Sequence, residues 1–225
     1  MTTELTAWAP EVDPSIPGLP EPALKRAVRA AVMQFCMETR LWTLDLDRIS
    51  VADGTADYTL TVPAAQYGQI IVVEDVKYKI DAADDDQFRR LNPIATAPEN
   101  LITGNWQYLE SSEPNYFDVE EGANTTLKLV PIPTNDSAEG LLVKVCLKPT
   151  LAAEVVPDFI YNQHLLTIAH GAMGYLFGIK GMPWYDPNEA NYNRIEFRKM
   201  INSAKWRKFQ GATNRPLSIR MRRWV

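Results

Sequence analysis

The chain has 225 residues, of which 46% are hydrophobic and 23% are charged, and its formal net charge is −5. This composition predicts a folded globular protein. No apolar run reaches the length of a membrane span, and the N-terminus has neither the basic nor the apolar region of a signal peptide, so we expect an intracellular protein.

Four prolines interrupt the first twenty residues and prevent a continuous helix there. They are Pro10, Pro14, Pro17 and Pro20. We therefore expect residues 1–20 to form an extended, proline-rich arm. From residue 21 the pattern changes, and "EPALKRAVRAAVMQFCMETRLW" repeats apolar residues at spacings of three and four. This predicts an amphipathic helix of about twenty residues.

Alternation of apolar and polar residues replaces helical spacing in the middle of the chain. "ISVADGTADYTLTV", "QIIVVEDVKYKI" and "GLLVKVCLKP" predict strands, and "NYFDVEEGANTTLKLVPIP" predicts a hairpin that turns at residues 121–124. Between them, "DAADDDQFRRLN" predicts a short helix, because acidic residues favour the first turn of a helix. We expect residues 48–154 to form a mostly antiparallel β module.

Two further helices are predicted after the β module. "PDFIYNQHLLTIAHGAMGYLFGIKG" has one broad apolar face, with Gly181 expected as its C-cap. The next helix begins with Asp186 as N-cap and Pro187 in the first turn, and it is expected to end at Gly211.

This order of elements predicts an α+β fold. The helices of residues 21–47 and 155–212 are expected to form one helical bundle, with the β module of residues 48–154 inserted between them. Residues 213–225 are expected to form an extended C-terminal tail.

No catalytic, cofactor or metal site is predicted. His164 and His170 are six residues apart on one helix and point about 240° apart, so they cannot share a metal ion. The two cysteines, Cys36 and Cys146, fit small buried hydrophobic side chains better than a disulfide or a nucleophile. The aspartates of "DAADDD" lack the ligand spacing of a calcium loop. We therefore expect that the protein is not an enzyme.

Three glycines lie at spacings of three and four within a predicted helix. They are Gly171, Gly174 and Gly178. Each glycine costs a helix up to about 1 kcal/mol relative to alanine, so a compensating contact is expected. We interpret them as a stripe that lets another helix approach closely, in the same chain or in a neighbouring copy.

The charge is distributed unevenly along the chain. Residues 194–225 hold ten basic residues and one acid, a net +9, while residues 1–193 hold 13 basic and 27 acidic residues, a net −14. Such a basic segment is typical of an interaction with nucleic acid, a membrane surface or an acidic protein, and a solvated terminus is the alternative.

The order of these segments resembles the head-to-tail adaptor, or connector, proteins of tailed bacteriophages, and is similar to the tail tubular adaptors of short-tailed phages. The segments are "FCMETRLW", the "EPNYF" to "LKLVPIP" strand pair, "VPDFIYNQHLLTIAHGAMGYL" followed by "MPWYDPNEANYNRIEFRKMINSAKWRK", and the closing "RPLSIRMRRWV". The proline-rich arm and the "DAADDD" segment depart from the family pattern.

The resemblance implies a structural virion protein, made in the host cytoplasm and located at the head-tail junction. It implies a homo-oligomeric ring, most often of twelve copies, that binds the portal protein and offers a platform to the next tail or nozzle protein. Genome DNA would pass through the ring without specific binding, and no membrane would be involved.

The closing segment has the period of two that a strand needs. A strand added to a sheet of the portal would place alternate side chains in pockets and pair arginines with acidic groups. The expected portal-binding residues are Arg215, Leu217, Ile219, Arg220, Met221, Arg222, Arg223, Trp224 and Val225. The alternative function is a protein that binds DNA without sequence specificity through its basic C-terminal segment.

Overall fold

A computed structural model of the chain describes residues 1–80, 87–97, 108–120 and 125–210. The fold is a mixed α+β fold with about 40% helix and 31% strand, which confirms the predicted class. The chain divides into two compact units, one of residues 1–41 with 151–225 and one of residues 42–150. We call them the helical unit and the β unit.

The N-terminal segment of the helical unit is folded, so the expected extended arm is wrong. It contains strand β1 (Thr2–Glu4), a 3-10 turn (Leu5–Trp8) and the one-turn helix α1 (Ala9–Val12). Pro10 lies in the first turn of α1, where proline is tolerated because its missing N–H would have no helical partner. Leu5, Trp8, Val12 and Ile16 are at most 1% exposed. Their spacing of three and four was the helical signal that the prolines obscured.

Helix α2 (Glu21–Thr39) confirms the first predicted long helix. Pro22 lies in its first turn, and Arg40 closes it in the left-handed conformation with φ 52°. One face of α2 is buried, and it comprises Leu24, Ala27, Val28, Ala31, Val32, Phe35 and Cys36. That face packs against the two C-terminal helices.

Helices α3 (Asp158–Leu176) and α4 (Pro187–Gln210) confirm the two predicted C-terminal helices. Asp186 is the N-cap of α4, because its Oδ1 accepts the backbone N–H groups of Asn188 at 2.8 Å and Glu189 at 3.2 Å. Gly181 has the expected positive φ of 84°. It lies in the loop beyond the end of α3 at Leu176, so the prediction that it caps the helix directly is wrong.

Helix α3 is irregular at His164, whose φ of −132° and ψ of 23° are not helical. The His164 side chain is 8% exposed, and its ring centroid lies 4.7 Å from that of Phe35 on α2. Burial, and to a lesser extent the positive charge of Arg207, lowers the pKa of His164 below its ordinary value of 6.5.

The buried position of His164 predicts a loss of stability in mild acid. The unfolded chain binds a proton on His164 as the pH falls below 6.5, while the folded protein resists protonation until its lower pKa is reached. The free energy of unfolding is therefore expected to fall between about pH 7 and about pH 5. Denaturant unfolding should show a weaker pH dependence in His164→Gln than in His170→Gln. Equal dependence in both variants would contradict this assignment.

The β unit is built on a five-stranded antiparallel sheet. Its two long central strands are β5 (Gly68–Lys79) and β12 (Ser137–Pro149). The short strands β2 (Thr43–Asp45) and β3 (Ile49–Val51) pair with β12, and β6 (Phe88–Arg90) pairs with β5. Alternate side chains of the central strands are buried, among them Val76, Leu141, Val143, Val145 and Leu147.

The other strands of the β unit form two smaller sheets. β4 (Asp57–Thr59), β10 (Thr126–Val130), β9 (Tyr116–Val119) and β7 (Asn92–Pro93) form a four-stranded sheet in that order. β8 (Glu110–Ser111) and β11 (Ile132–Pro133) form a parallel pair. In the helical unit, β1 pairs with β13 (Val155–Pro157).

The predicted hairpin and the predicted acidic helix have different outcomes. β9 and β10 pair antiparallel as expected, while the turn at 121–124 lies outside the described residues. The helix predicted for "DAADDDQFRRLN" is wrong for Phe88–Arg90, which form β6, and residues 81–86 lie outside the described residues. Pairing with Lys77–Lys79 satisfies the backbone of β6 and overrides the helical preference of a short acidic segment.

Candidate assembly surface

Gly171 and Gly174 lie where α3 meets the other helices of the same chain, whereas Gly178, predicted within the same helix, lies just beyond its end at Leu176. A Cβ atom on Gly171 would lie 2.8 Å from the Cβ of Ala31 on α2 and 3.0 Å from the ring of Phe197 on α4. A Cβ on Gly174 would lie 3.0 Å from Cγ of Arg194, and one on Gly178 would lie 2.5 Å from Nη2 of Arg194. Close packing within the same chain therefore explains why these positions hold glycine.

Arg194 covers the C-terminal end of α3. Its Nε donates a hydrogen bond of 3.1 Å to the carbonyl oxygen of Gly174. A cation at this end of a helix is favoured by the helix dipole and by the carbonyl groups that lack a helical partner. Small residues at 174 and 178 leave room for the guanidinium.

The two histidines have separate surroundings. Nδ1 of His170 lies 2.8 Å from Oδ1 of Asn193, while Nδ2 of Asn193 donates to the carbonyl oxygen of Glu189 at 2.9 Å. Because the amide nitrogen is used as a donor, Oδ1 of Asn193 accepts and His170 donates. This places His170 in a structural link between α3 and α4.

The two cysteines belong to different units. Cys36 and Cys146 are both buried. Within the described part of the chain, no group of three or more His, Cys, Asp or Glu side chains could hold a metal ion.

Helix α4 has apolar side chains on two opposite faces. Ala190, Phe197, Ile201 and Ala204 are at most 5% exposed and face the helical unit. On the outward face, three large side chains are strongly exposed: Tyr192 at 56%, Ile195 at 45% and Trp206 at 62%. They lie within about 60° of one another around the helix axis. We call these three residues the outward face of α4.

The C-terminal end of α4 is basic and is fastened to the end of α2. Nζ of Lys205 lies 3.0 Å from Oε2 of Glu38, and Nζ of Lys208 donates to the carbonyl oxygen of Arg40 at 2.6 Å. Burial alone would raise the pKa of Glu38, but hydrogen bonds from Gln34 and Lys205 hold it below its usual value. These contacts fix the point from which the chain continues into residues 211–225.

The two units carry opposite charge. The β unit holds 18 acidic and 8 basic residues, a net −10, and the helical unit holds 10 acidic and 15 basic residues, a net +5. The acidic character that the sequence assigns to residues 1–193 therefore belongs to the β unit. The basic character belongs to α4 and the residues that follow it.

The expected portal-binding tail, residues 215–225, lies outside the described residues.

The outward face of α4 was missed in the sequence, although its signal was present. Tyr192, Ile195 and Trp206 follow a helical spacing that is out of phase with the buried residues of α4.

None of the described helices is long and apolar enough to cross a membrane. No protein-family model matches the sequence, and no curated protein matches it.

Proposed function

We propose that the protein is a structural subunit of a phage virion, a head-to-tail adaptor. Several copies would form a ring that docks under the portal, extends the DNA channel and carries the next tail component. In this proposal α2, α3 and α4 form the helical bundle of each subunit, and the β unit is the inserted module. The basic tail would bind the portal.

The observation that carries this proposal is the outward face of α4. Three large apolar side chains, Tyr192, Ile195 and Trp206, are 45–62% exposed on a helix whose opposite face already packs in the core. The three side chains lie along one side of the helix, and exposed apolar side chains on one side of a surface helix suit a contact with another protein. Aromatic side chains are also favoured at the centres of protein interfaces.

The distribution of charge supports the same function. The net −10 of the β unit would repel the phosphates of passing DNA wherever that unit borders the channel. The basic residues at the end of α4 and in the tail would instead be directed at an acidic surface of the portal.

Deleting residues 215–225 tests the docking proposal directly. The truncated protein is expected to fold with unchanged helix content, while particles assembled with it lack an attached adaptor and are not infectious. The readout is the presence of the protein on purified particles. Normal incorporation of the truncated protein would overturn the proposal.

A second experiment uses the alternation of apolar and polar residues in the tail. Replacing Leu217, Ile219 and Met221 together with serine should prevent docking, since these side chains would fill the pockets of the portal sheet. Ser218→Ala, which a strand docked on the portal would place on the opposite side, is the matched control and should dock normally.

The alternative function, DNA binding without sequence specificity, is favoured by the basic end of α4. Arg198, Lys199, Lys205, Arg207 and Lys208 precede the four arginines of the tail. Phosphate contacts by these residues predict DNA binding that weakens steeply with added salt. Binding of purified protein to duplex DNA at low salt, lost on deleting residues 215–225, would favour this function over the adaptor.

A further inference from the structure

A groove of about 440 Å³ opens between α3 and α4 beside the irregular turn at His164. Leu165, Leu166, Met200 and Ala204 supply its apolar lining. Its polar lining comes from Asn162, Gln163, His164, Thr167, Ser203 and Arg207. Leu166 is 55% exposed, although it is a large apolar side chain. We call this feature the α3–α4 groove.

Within the part of the chain that the structure describes, Arg207 is the one charged residue that lines the α3–α4 groove. Its side chain is exposed, and among the described residues no hydrogen bond or ion pair engages its guanidinium. A groove that combines one free guanidinium with an apolar lining suits a carboxylate that adjoins an apolar side chain. A DNA backbone would require several cations and would gain little from the apolar lining.

The chain itself contains a segment with this chemistry. Tyr108 and Leu109 of the β unit are 76% and 43% exposed, and the exposed Glu110 follows them. Among the described residues, no hydrogen bond or ion pair engages the Glu110 carboxylate. We call Tyr108–Glu110 the YLE segment.

The YLE segment is held in a defined conformation. The N–H of Ile132 donates to the carbonyl oxygen of Leu109 at 2.7 Å, and β8 begins at Glu110 and pairs with β11. A segment that is fixed before binding loses less conformational entropy when it docks.

Charge favours a contact between the helical unit of one copy and the β unit of another. Without residues 211–225 the helical unit is only net +1, but residues 198–210 of α4 carry five basic side chains and no acid, and the β unit is net −10. The C-terminal residues of the chain do not fit the groove, because residues 211–225 carry four arginines and no acid and would be repelled by Arg207.

We propose that the α3–α4 groove of one copy binds the YLE segment of a second copy, with Glu110 paired to Arg207 and Leu109 against Leu166. The groove and the segment are different surfaces, so the contact is head-to-tail and can repeat from copy to copy around a closed ring. This inference rests on the proposed ring and names the contact between its subunits.

The contact can be trapped as a disulfide in the full-length protein. In the double variant Arg207→Cys, Glu110→Cys, each copy has one thiol in the groove and one on the segment. Mild oxidation with diamide at high protein concentration is expected to give a ladder of dimers, trimers and larger covalent oligomers that dithiothreitol reverses. The native Cys36 and Cys146 are buried and should not contribute.

Three matched variants make the result specific. Arg207→Cys alone and Glu110→Cys alone can give at most dimers. Adding Leu166→Asp to the double variant should reduce the ladder at least tenfold, because it removes the apolar contact with Leu109 and would bury a charge in its place. Circular dichroism of each variant checks that the helical unit is folded.

Several results would overturn the proposal. They are the absence of a ladder, a disulfide within a single chain, or a ladder that Leu166→Asp leaves unchanged. Low-salt binding of duplex DNA by the otherwise unchanged protein that Arg207→Ala weakens would show that the groove prefers phosphate. If a protein that forms no ladder still docks onto particles through its tail, the adaptor function stands. Only the contact between the α3–α4 groove and the YLE segment is then ruled out.

Discussion

Replacing Trp8 with alanine is expected to destabilise the helical unit by about 3–5 kcal/mol, the usual cost of removing a fully buried tryptophan. The Trp8 side chain is 0% exposed, and its ring meets that of Tyr161 edge-to-face with centroids 5.0 Å apart. Its Nε1 donates to the carbonyl oxygen of Leu165 at 3.2 Å, close to the irregular turn at His164. The variant thus loses packing and a hydrogen bond that supports α3.

Trp206→Ala is the matched control, since Trp206 is 62% exposed on the outward face of α4. Its stability should change by no more than about 0.5 kcal/mol. Denaturant unfolding followed by far-UV circular dichroism measures both variants. Equal stability of the Trp8 variant and the wild type would show that the N-terminal segment is not part of the folded core.

Gly171→Ala is expected to destabilise the helical unit by about 1–2 kcal/mol, even though alanine favours helix by up to about 1 kcal/mol. The new methyl group would lie 2.8 Å from the Cβ of Ala31 and 3.0 Å from the Phe197 ring. Neither neighbour can move aside without shifting its helix or its ring. Calorimetric or denaturant unfolding should detect the loss.

A double-mutant cycle isolates this contact. In the presence of Ala31→Gly the Gly171 substitution should cost much less, giving a coupling energy of about 1 kcal/mol or more. Gly178→Ala is the control, because its new methyl would clash only with Nη2 of Arg194, the far end of a flexible side chain, while the backbone oxygens of Gly174 and Tyr175 would lie at an ordinary contact distance of 3.4 Å. Additive effects of the two substitutions would show that α2 and α3 are not in close contact at this point.

The long helices were predictable because their signals are local. The spacing of apolar residues in each helix and the capping carboxylate of Asp186 in α4 are local features of the sequence, so these helices can be predicted without knowing which distant residues they contact. The hairpin strands β9 and β10 were predictable for the same reason. The N-terminal segment and β6 were not, since β1 depends on pairing with β13 and β6 on pairing with β5.

The candidate surfaces depend even more on distant contacts. The groove lies beside the irregular backbone at His164, where two helices meet, and the spacing of residues indicates neither feature. The division of charge between the units became visible only once the boundary of the β unit was known. The outward face of α4 was the exception, because the helical spacing of its three residues is visible in the sequence.

The anchoring of α4 has a mechanical consequence. A pull on residues beyond Gln210 acts along the axis of α4, and the ion pair from Lys205 to Glu38 and the hydrogen bond from Lys208 to Arg40 transmit it to the end of α2. To pull α4 away, the force must break these bonds together with the packing of both helices, as in shear. A subunit held by its C-terminal residues would therefore resist tension through its whole helical core, and single-molecule pulling from residue 225 would measure that resistance.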